Sequence, residues 1–105
     1  PDELLNNQRG DCEDFARFAY EILKLNGTNA WLVSIYGRGG YGHTVCIFSE
    51  NGLYHAIDGT DVKRFKAKNL TEVFGKIYPF WQKAALVKAL PSGSRAVILK
   101  EFRKS

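Results

Sequence analysis

The chain has 105 residues, of which 45% are hydrophobic and 25% charged, and its formal net charge at pH 7 is +4. This length and composition are typical of one folded domain and exclude a disordered or fibrous chain. No apolar run approaches the roughly 20 residues that cross a bilayer, so we expect no membrane span. We therefore expect a single domain over residues 1–105.

Charge is distributed unevenly along the chain. Residues 1–60 carry four basic and eight acidic side chains, whereas residues 61–105 carry eleven basic and three acidic ones. A basic half of this kind can meet nucleic acid or an acidic partner. The lysines are scattered singly and form no aromatic-basic motif, so we favour a solvated surface over nucleic-acid binding.

The N-terminal quarter predicts two helices separated by a polar loop. Residues 1–7 have a proline and two acidic residues at their start, which is typical of a short helix. After a polar loop over residues 6–10, apolar residues recur at helical spacing from Cys12 to Asn26, and Gly27 is a typical helix stop. This interpretation places Cys12 at a helix N-terminus.

The middle of the chain predicts strands. Ala30 to Tyr36 alternates apolar and polar residues and predicts the first strand. The glycine-rich segment 37–42 resembles a phosphate-binding loop, but it opens no helix, so we interpret it as a mobile loop beside a site. His43–Glu50 and Leu53–Asp58 predict two strands joined by Asn51-Gly52, a strong hairpin signal.

The C-terminal third gives weaker signals. Asn69-Leu70-Thr71-Glu72 predicts a helix start that is capped by its asparagine or its threonine. Residues 79–90 have helix propensity, although residues 85–90 could instead pair with 95–102 as strands. We favour a helix followed by an edge strand.

The predicted hairpin distinguishes the two histidines. With Asn51-Gly52 as a two-residue turn, His43 shares a face with Asp58, and the two are diagonal neighbours within side-chain reach. His55 and Cys46 fall on the opposite face.

These positions suggest a thiol site. A helix N-terminus favours the thiolate of Cys12, His43 can take the thiol proton, and Asp58 can orient the imidazole. The alternatives are a small buried cysteine, a hydrogen-bonded strand histidine and a turn aspartate. The two cysteines fit either a disulfide or free thiols, and the Cys and His spacings lack the short pairs of a zinc site.

Residues 9–16, Arg-Gly-Asp-Cys-Glu-Asp-Phe-Ala, resemble the Gly-Asp-Cys-Glu-Asp-aromatic-Ala box of bacterial transglutaminase-like cysteine peptidases. The resemblance to this branch of the transglutaminase-like superfamily covers residues 4–62. It implies an α+β, papain/transglutaminase-like core in which the nucleophile starts a helix packed on an antiparallel sheet. It also implies that Cys12, His43 and Asp58 are catalytic, and that the chain is phage-encoded or belongs to the bacterial periplasm or cytoplasm.

We therefore expect a thiol-dependent amide-bond hydrolase or acyl-transfer enzyme, most simply a cysteine peptidase with a protein or peptide substrate. One alternative is transfer of the acyl group to an amine, as in a transglutaminase. Another is a non-catalytic protein-binding module that retains the fold. The sequence does not indicate an oligomeric state.

An oxyanion hole needs donors beside the nucleophile. The backbone N–H of Cys12 is one candidate, because N–H groups at a helix start are unpaired. Papain-like sites add an upstream side-chain amide, for which Gln8 and Asn6 are the preferred candidates and Asn7 a third.

The three acidic residues that flank the cysteine, Asp11, Glu13 and Asp14, would disfavour a thiolate. They either cap the helix or hold calcium, which would offset the repulsion. Some relatives of the cysteine box are calcium-dependent through acids at these positions. The chemistry itself requires no cofactor, and calcium is the one candidate.

Overall fold

The computed structural model describes residues 2–37, 42–88 and 97–104, and for residues 2–13 it describes the backbone alone. These ranges contain two helices and six strands: α1 (Asp2–Leu25), β1 (Ala30–Gly37), β2 (Gly42–Glu50), β3 (Leu53–Asp58), β4 (Asp61–Ala67), α2 (Leu70–Ile77), β5 (Trp81–Lys88) and β6 (Val97–Arg103). Neither helix is both long enough and apolar enough to cross a membrane.

The six strands form one sheet in the order β4-β3-β2-β1-β5-β6, and every neighbouring pair is antiparallel. The strands β1 and β2 are paired near its centre, and their inward-facing residues Val33, Ile35, Val45 and Ile47 are fully buried. Because both faces of the central strands are covered, these strands are apolar at consecutive positions rather than in strict alternation.

Each face of the sheet packs against one helix. On the α2 face, Val33, Val45 and Ala56 form a buried cluster with Val73 and Phe74 of α2. On the α1 face, the cluster is formed by strand residues and by one stripe of α1, namely Leu32, Cys46 and Phe48 with Ala16, Ala19, Tyr20 and Leu23. Burial of each large side chain contributes about 1.5–3 kcal/mol to folding, so these two clusters hold the layers together.

The hairpin of β2 and β3 has the predicted register. Asn51 and Gly52 both have positive φ, at 53° and 81°, as a two-residue type I′ turn requires. Glu50 lies opposite Leu53, and the pairing continues to Cys46 opposite Ile57. The predicted cap of α2 is also confirmed, because the Asn69 side chain accepts the Glu72 N–H at 2.9 Å.

The predicted break before Cys12 is wrong. A single helix, α1, begins at Asp2, so Cys12 lies ten residues after its first residue. No proline follows Pro1 in this stretch, and one internal glycine, Gly10, costs only about 1 kcal/mol relative to alanine. The helix ends at Leu25, and Gly27 is its stop as predicted: the Gly27 and Thr28 N–H groups bond to the Lys24 and Leu23 carbonyls in a Schellman arrangement.

The predicted helix over residues 79–90 is also wrong. Residues Trp81–Lys88 form β5, which lies between β1 and β6, so the alternative pairing of the two C-terminal segments is the correct one. Ala84, Ala85 and Leu86 are buried there. Burial against both neighbours outweighs the helix propensity of alanine, glutamine and lysine, which is a local preference that tertiary packing routinely overrides.

The expected α+β, papain/transglutaminase-like core is therefore contradicted. The described chain is a small β-rich domain with one six-stranded antiparallel sheet and two helices. Two features account for the difference: Cys12, the residue predicted as nucleophile, does not start a helix, and the C-terminal segment adds strands instead of a helix. The prediction of a single domain over residues 1–105 is untested.

Candidate active site

The centre of the candidate site is a histidine–carboxylate pair at one end of the sheet. His43 is the second residue of β2, and Asp58 is the last residue of β3. The Nε2 atom of His43 lies 2.6 Å from Oδ1 of Asp58, a short distance typical of a charge-assisted hydrogen bond. Both side chains are about four-fifths buried, with 18% and 23% of their surface exposed, so the pair is partly shielded from water.

The hydrogen bond assigns different tasks to the two ring nitrogens of His43. With its proton on Nε2, the ring donates to Asp58, and Nδ1 becomes the basic nitrogen. A carboxylate in this position holds the imidazole in one tautomer and stabilises its charged form. The pair can therefore act as an oriented general base through Nδ1.

Asp58 has a cationic neighbour, Lys63, that the sequence analysis missed. Nζ of Lys63 on β4 lies 3.6 Å from Oδ2 of Asp58. Lys63 is partly exposed, so water weakens this ion pair. The sequence contains a signal for this contact. Asp58-Gly59 is typical of a turn, and a hairpin there pairs Asp58 with Asp61 and brings Lys63 back beside Asp58.

Cys12, the predicted nucleophile, lies inside α1, and its side chain is outside the described part of the structure. The expected activation by a helix N-terminus is wrong, because unpaired N–H groups belong to the first turn. For the same reason the Cys12 N–H is not an oxyanion donor, since inside a helix it bonds to the carbonyl four residues earlier.

The other residues predicted around Cys12 lie on the same helix. The side chains of the candidate amides Gln8 and Asn6, and of Asn7, are outside the described residues, as are those of Asp11 and Glu13. Asp14 is described and is exposed to solvent. The capping interpretation of Asp11, Glu13 and Asp14 is wrong, because α1 begins at Asp2 and these acids follow its first turn.

Helical spacing also disfavours calcium at these acids. In a continuous helix Asp11 and Asp14 are neighbours at i and i+3, whereas Glu13 lies on another side. Calcium usually takes six to eight oxygen ligands, which two carboxylates on one helix surface do not supply.

His43 and Asp58 lie on the face of the sheet opposite to the one covered by the described part of α1. Side chains alternate along β2 and β3, so His43 and Asp58 share the α2 face with Val45 and Ala56. The described stripe of α1 packs on the opposite face. A group on α1 can therefore meet the pair only by passing the end of the sheet, where both residues lie.

Cys46 and His55 have structural surroundings, as their predicted face implies. Cys46 is a fully buried free thiol, and burial raises its pKa from 9.0 to about 12. His55 is also buried; its Nδ1 accepts the Lys66 N–H at 3.2 Å, and its ring lies 5.2 Å from that of Phe48. These environments disfavour a reactive thiol and a solvent-accessible base, respectively.

Comparisons with known proteins identified no relative of this chain. No protein-family model matches the chain, and searches of the curated proteins and of the solved structures found no match. Any function must therefore be inferred from the residues and their geometry.

Proposed function

We propose that this protein is a thiol-dependent enzyme that cleaves or transfers amide-linked acyl groups, with Cys12 as nucleophile, His43 as base and Asp58 as the residue that orients the base. The observation that carries the proposal is the hydrogen bond of 2.6 Å between His43 and Asp58. The similarity of residues 9–16 to the cysteine box of transglutaminase-like peptidases supplies the nucleophile. A protein or peptide is the simplest substrate.

The lengths of α1 and β1 support a position of Cys12 near the His43–Asp58 pair. Four residues connect α1 to β1, so the C-terminal end of α1 lies at the end of the sheet where β1 begins. From Leu25 back to Cys12 the helix rises about 20 Å, and from Ala30 to Ile35 the strand advances about 17 Å. Ile35 lies opposite His43. A helix running back along β1 thus reaches the level of His43 near Cys12.

The proposed reaction follows from these roles. Nδ1 of His43 takes the thiol proton of Cys12, and the thiolate attacks the carbonyl carbon of the substrate amide. The C–N bond then breaks, the amine leaves with the proton from His43, and a thioester remains on Cys12. Water, activated by the same ring, hydrolyses the thioester; an amine in its place gives acyl transfer.

The positions of Gln8 and Asn6 along the continuous helix α1 also distinguish the two side-chain amides proposed for the oxyanion hole. Gln8 is four residues before Cys12, which places the two positions on neighbouring turns of one helix side. Asn6 is six residues before Cys12 and falls about 120° away around the helix. Gln8 is therefore the better candidate, and the reaction as proposed requires no metal.

A fluorescent thiol-directed activity probe tests the proposal. We expect the probe to label the wild-type protein and the Cys46→Ser variant at similar rates, and to fail on Cys12→Ser. His43→Gln should slow labelling strongly. If neither Cys12→Ser nor His43→Gln reduces labelling, the proposal is wrong, and the alternative of a non-catalytic binding module gains support.

A further inference from the structure

Three exposed lysines lie on the α2 face of strands β5 and β6. Leu86 belongs to the buried cluster under α2 and lies opposite Lys100, so Lys100 projects from the same face. Alternation along β5 places Lys88 there as well. Nζ of Lys104 lies 5.9 Å from the ring centre of Trp81, another member of that cluster. We call Lys88, Lys100 and Lys104 the lysine row; it extends over roughly 20 Å along the strands.

The positive charge of the lysine row has no acidic counterpart on its face. Residues 73–105 contain seven basic side chains and one acidic side chain, that of Glu101. Glu101 lies opposite Ala85 on the other face of the sheet, where it forms ion pairs with Lys83 and Arg103. Within the described residues, no member of the lysine row takes part in an ion pair. The lysines are scattered along the chain, and the pairing of β5 with β6 brings them together as an uncompensated cationic surface.

Aromatic rings accompany the lysine row. Nζ of Lys100 lies 5.1 Å from the centre of the Phe102 ring, and Nζ of Lys104 donates to the Pro79 carbonyl at 2.7 Å. The next residue, Phe80, exposes 71% of its surface. An exposed ring beside a line of cations is typical of surfaces that hold single-stranded nucleic acid, because lysines meet the phosphates and the ring stacks on a base. An acidic peptide would use the lysines and leave Phe80 without a role.

We propose that the lysine row and Phe80 form a binding surface for single-stranded RNA or DNA. The lysines contact successive phosphates, and Phe80 stacks on a base at the Lys104 end of the row. Such binding depends little on sequence, since every base has a face that can stack. None of these residues belongs to the His43–Asp58 pair, so the proposal stands independently of the proposed catalytic function.

The electrostatic part is tested by fluorescence anisotropy with a labelled single-stranded DNA of mixed sequence. Three lysine–phosphate contacts predict a slope of about −2 for the logarithm of the binding constant against the logarithm of the salt concentration. Lys88→Gln combined with Lys100→Gln should reduce the slope to about −0.7 and weaken binding at low salt by about tenfold or more. Lys66→Gln combined with Lys68→Gln removes the same charge from two exposed lysines at the β4 side of the sheet, and this matched control should bind like the wild type. Circular dichroism checks that both double variants are folded.

The stacking part is tested by Phe80→Ala, which removes an exposed ring and should leave the fold intact. We expect it to weaken binding of the single strand by about fivefold or more, with no effect on a polyglutamate peptide. Absence of binding to the wild type, or an equal loss in the two lysine double variants, would overturn the proposal. So would polyglutamate binding as tightly as the single strand, or Phe80→Ala binding the single strand like the wild type, because either result would describe a surface that holds any polyanion.

Discussion

Cys46 lies opposite Ile57 across β2 and β3, and this pairing decides which histidine meets Asp58. Because side chains alternate between faces, the same register turns His43 toward Asp58 and turns His55 toward Phe48. A shift of one residue would turn His43 to the face opposite Asp58 and break the pair. The two-residue turn at Asn51 and Gly52 therefore determines the chemistry at the other end of the hairpin.

The tautomer of His43 is the first consequence that can be measured. We predict that neutral His43 carries its proton on Nε2, because Oδ1 of Asp58 accepts it. Long-range ¹⁵N–¹H NMR correlations distinguish the tautomers directly. In Asp58→Ala the His43 signals should shift toward the other tautomer while those of His55 stay unchanged; an Nδ1–H tautomer in the wild type would contradict the assignment.

Cys46 should be inert in the folded protein. With its pKa raised to about 12 by burial, the Cys46 thiol stays protonated at pH 8. Limited iodoacetamide at pH 8, followed by mass spectrometry, should leave Cys46 unmodified until the protein is unfolded in urea. Because the unfolded thiol has the lower pKa, folding should also weaken as the pH rises above 9.0. Rapid labelling of Cys46 in the native protein would show that its thiol is not buried.

His55 should matter for stability and not for thiol chemistry. Its ring nitrogen accepts the Lys66 N–H where the register of β3 and β4 shifts, so His55→Ala leaves a backbone donor without its acceptor. We expect a loss of about 1–3 kcal/mol in the free energy of unfolding, measured by urea denaturation. The rate of Cys12 alkylation should stay within error of the wild type, and a large decrease in the folded variant would indicate that the wrong histidine has been assigned.

Calcium should have little effect on the protein. Asp11, Glu13 and Asp14 lie along one continuous helix, where their spacing does not bring three carboxylates to one point. We therefore expect the same melting temperature with millimolar calcium and with EGTA. A rise in melting temperature with calcium that Asp11→Asn removes would restore the metal-site hypothesis, since a ligand that binds the folded state stabilises it.

Local signals predicted the centre of the fold and the pair at its end. Asn51-Gly52 determined the hairpin, and alternation then brought His43 and Asp58 together. The errors arose where tertiary packing outweighs local preference. Residues 79–90 have helix-forming side chains, yet Trp81, Ala84 and Leu86 are buried in a strand between β1 and β6.

The start of α1 was predicted wrongly for a different reason. The polar residues and Gly10 before Cys12 are typical of a loop, but none of them prevents a helix. Unpaired N–H groups of a helix N-terminus therefore do not activate Cys12. In the proposed site, the His43–Asp58 pair is the described feature that would activate the Cys12 thiol.

The most direct test of the account is the alkylation rate of Cys12 at neutral pH, measured by iodoacetamide and mass spectrometry in the wild type, His43→Gln and His55→Gln. Removal of a general base typically lowers a rate by about 10²–10⁴-fold, and we expect His43→Gln to slow Cys12 alkylation by at least the lower end of that range. His55→Gln, if folded, should react like the wild type. Equal rates in the wild type and His43→Gln would contradict the proposed thiol site.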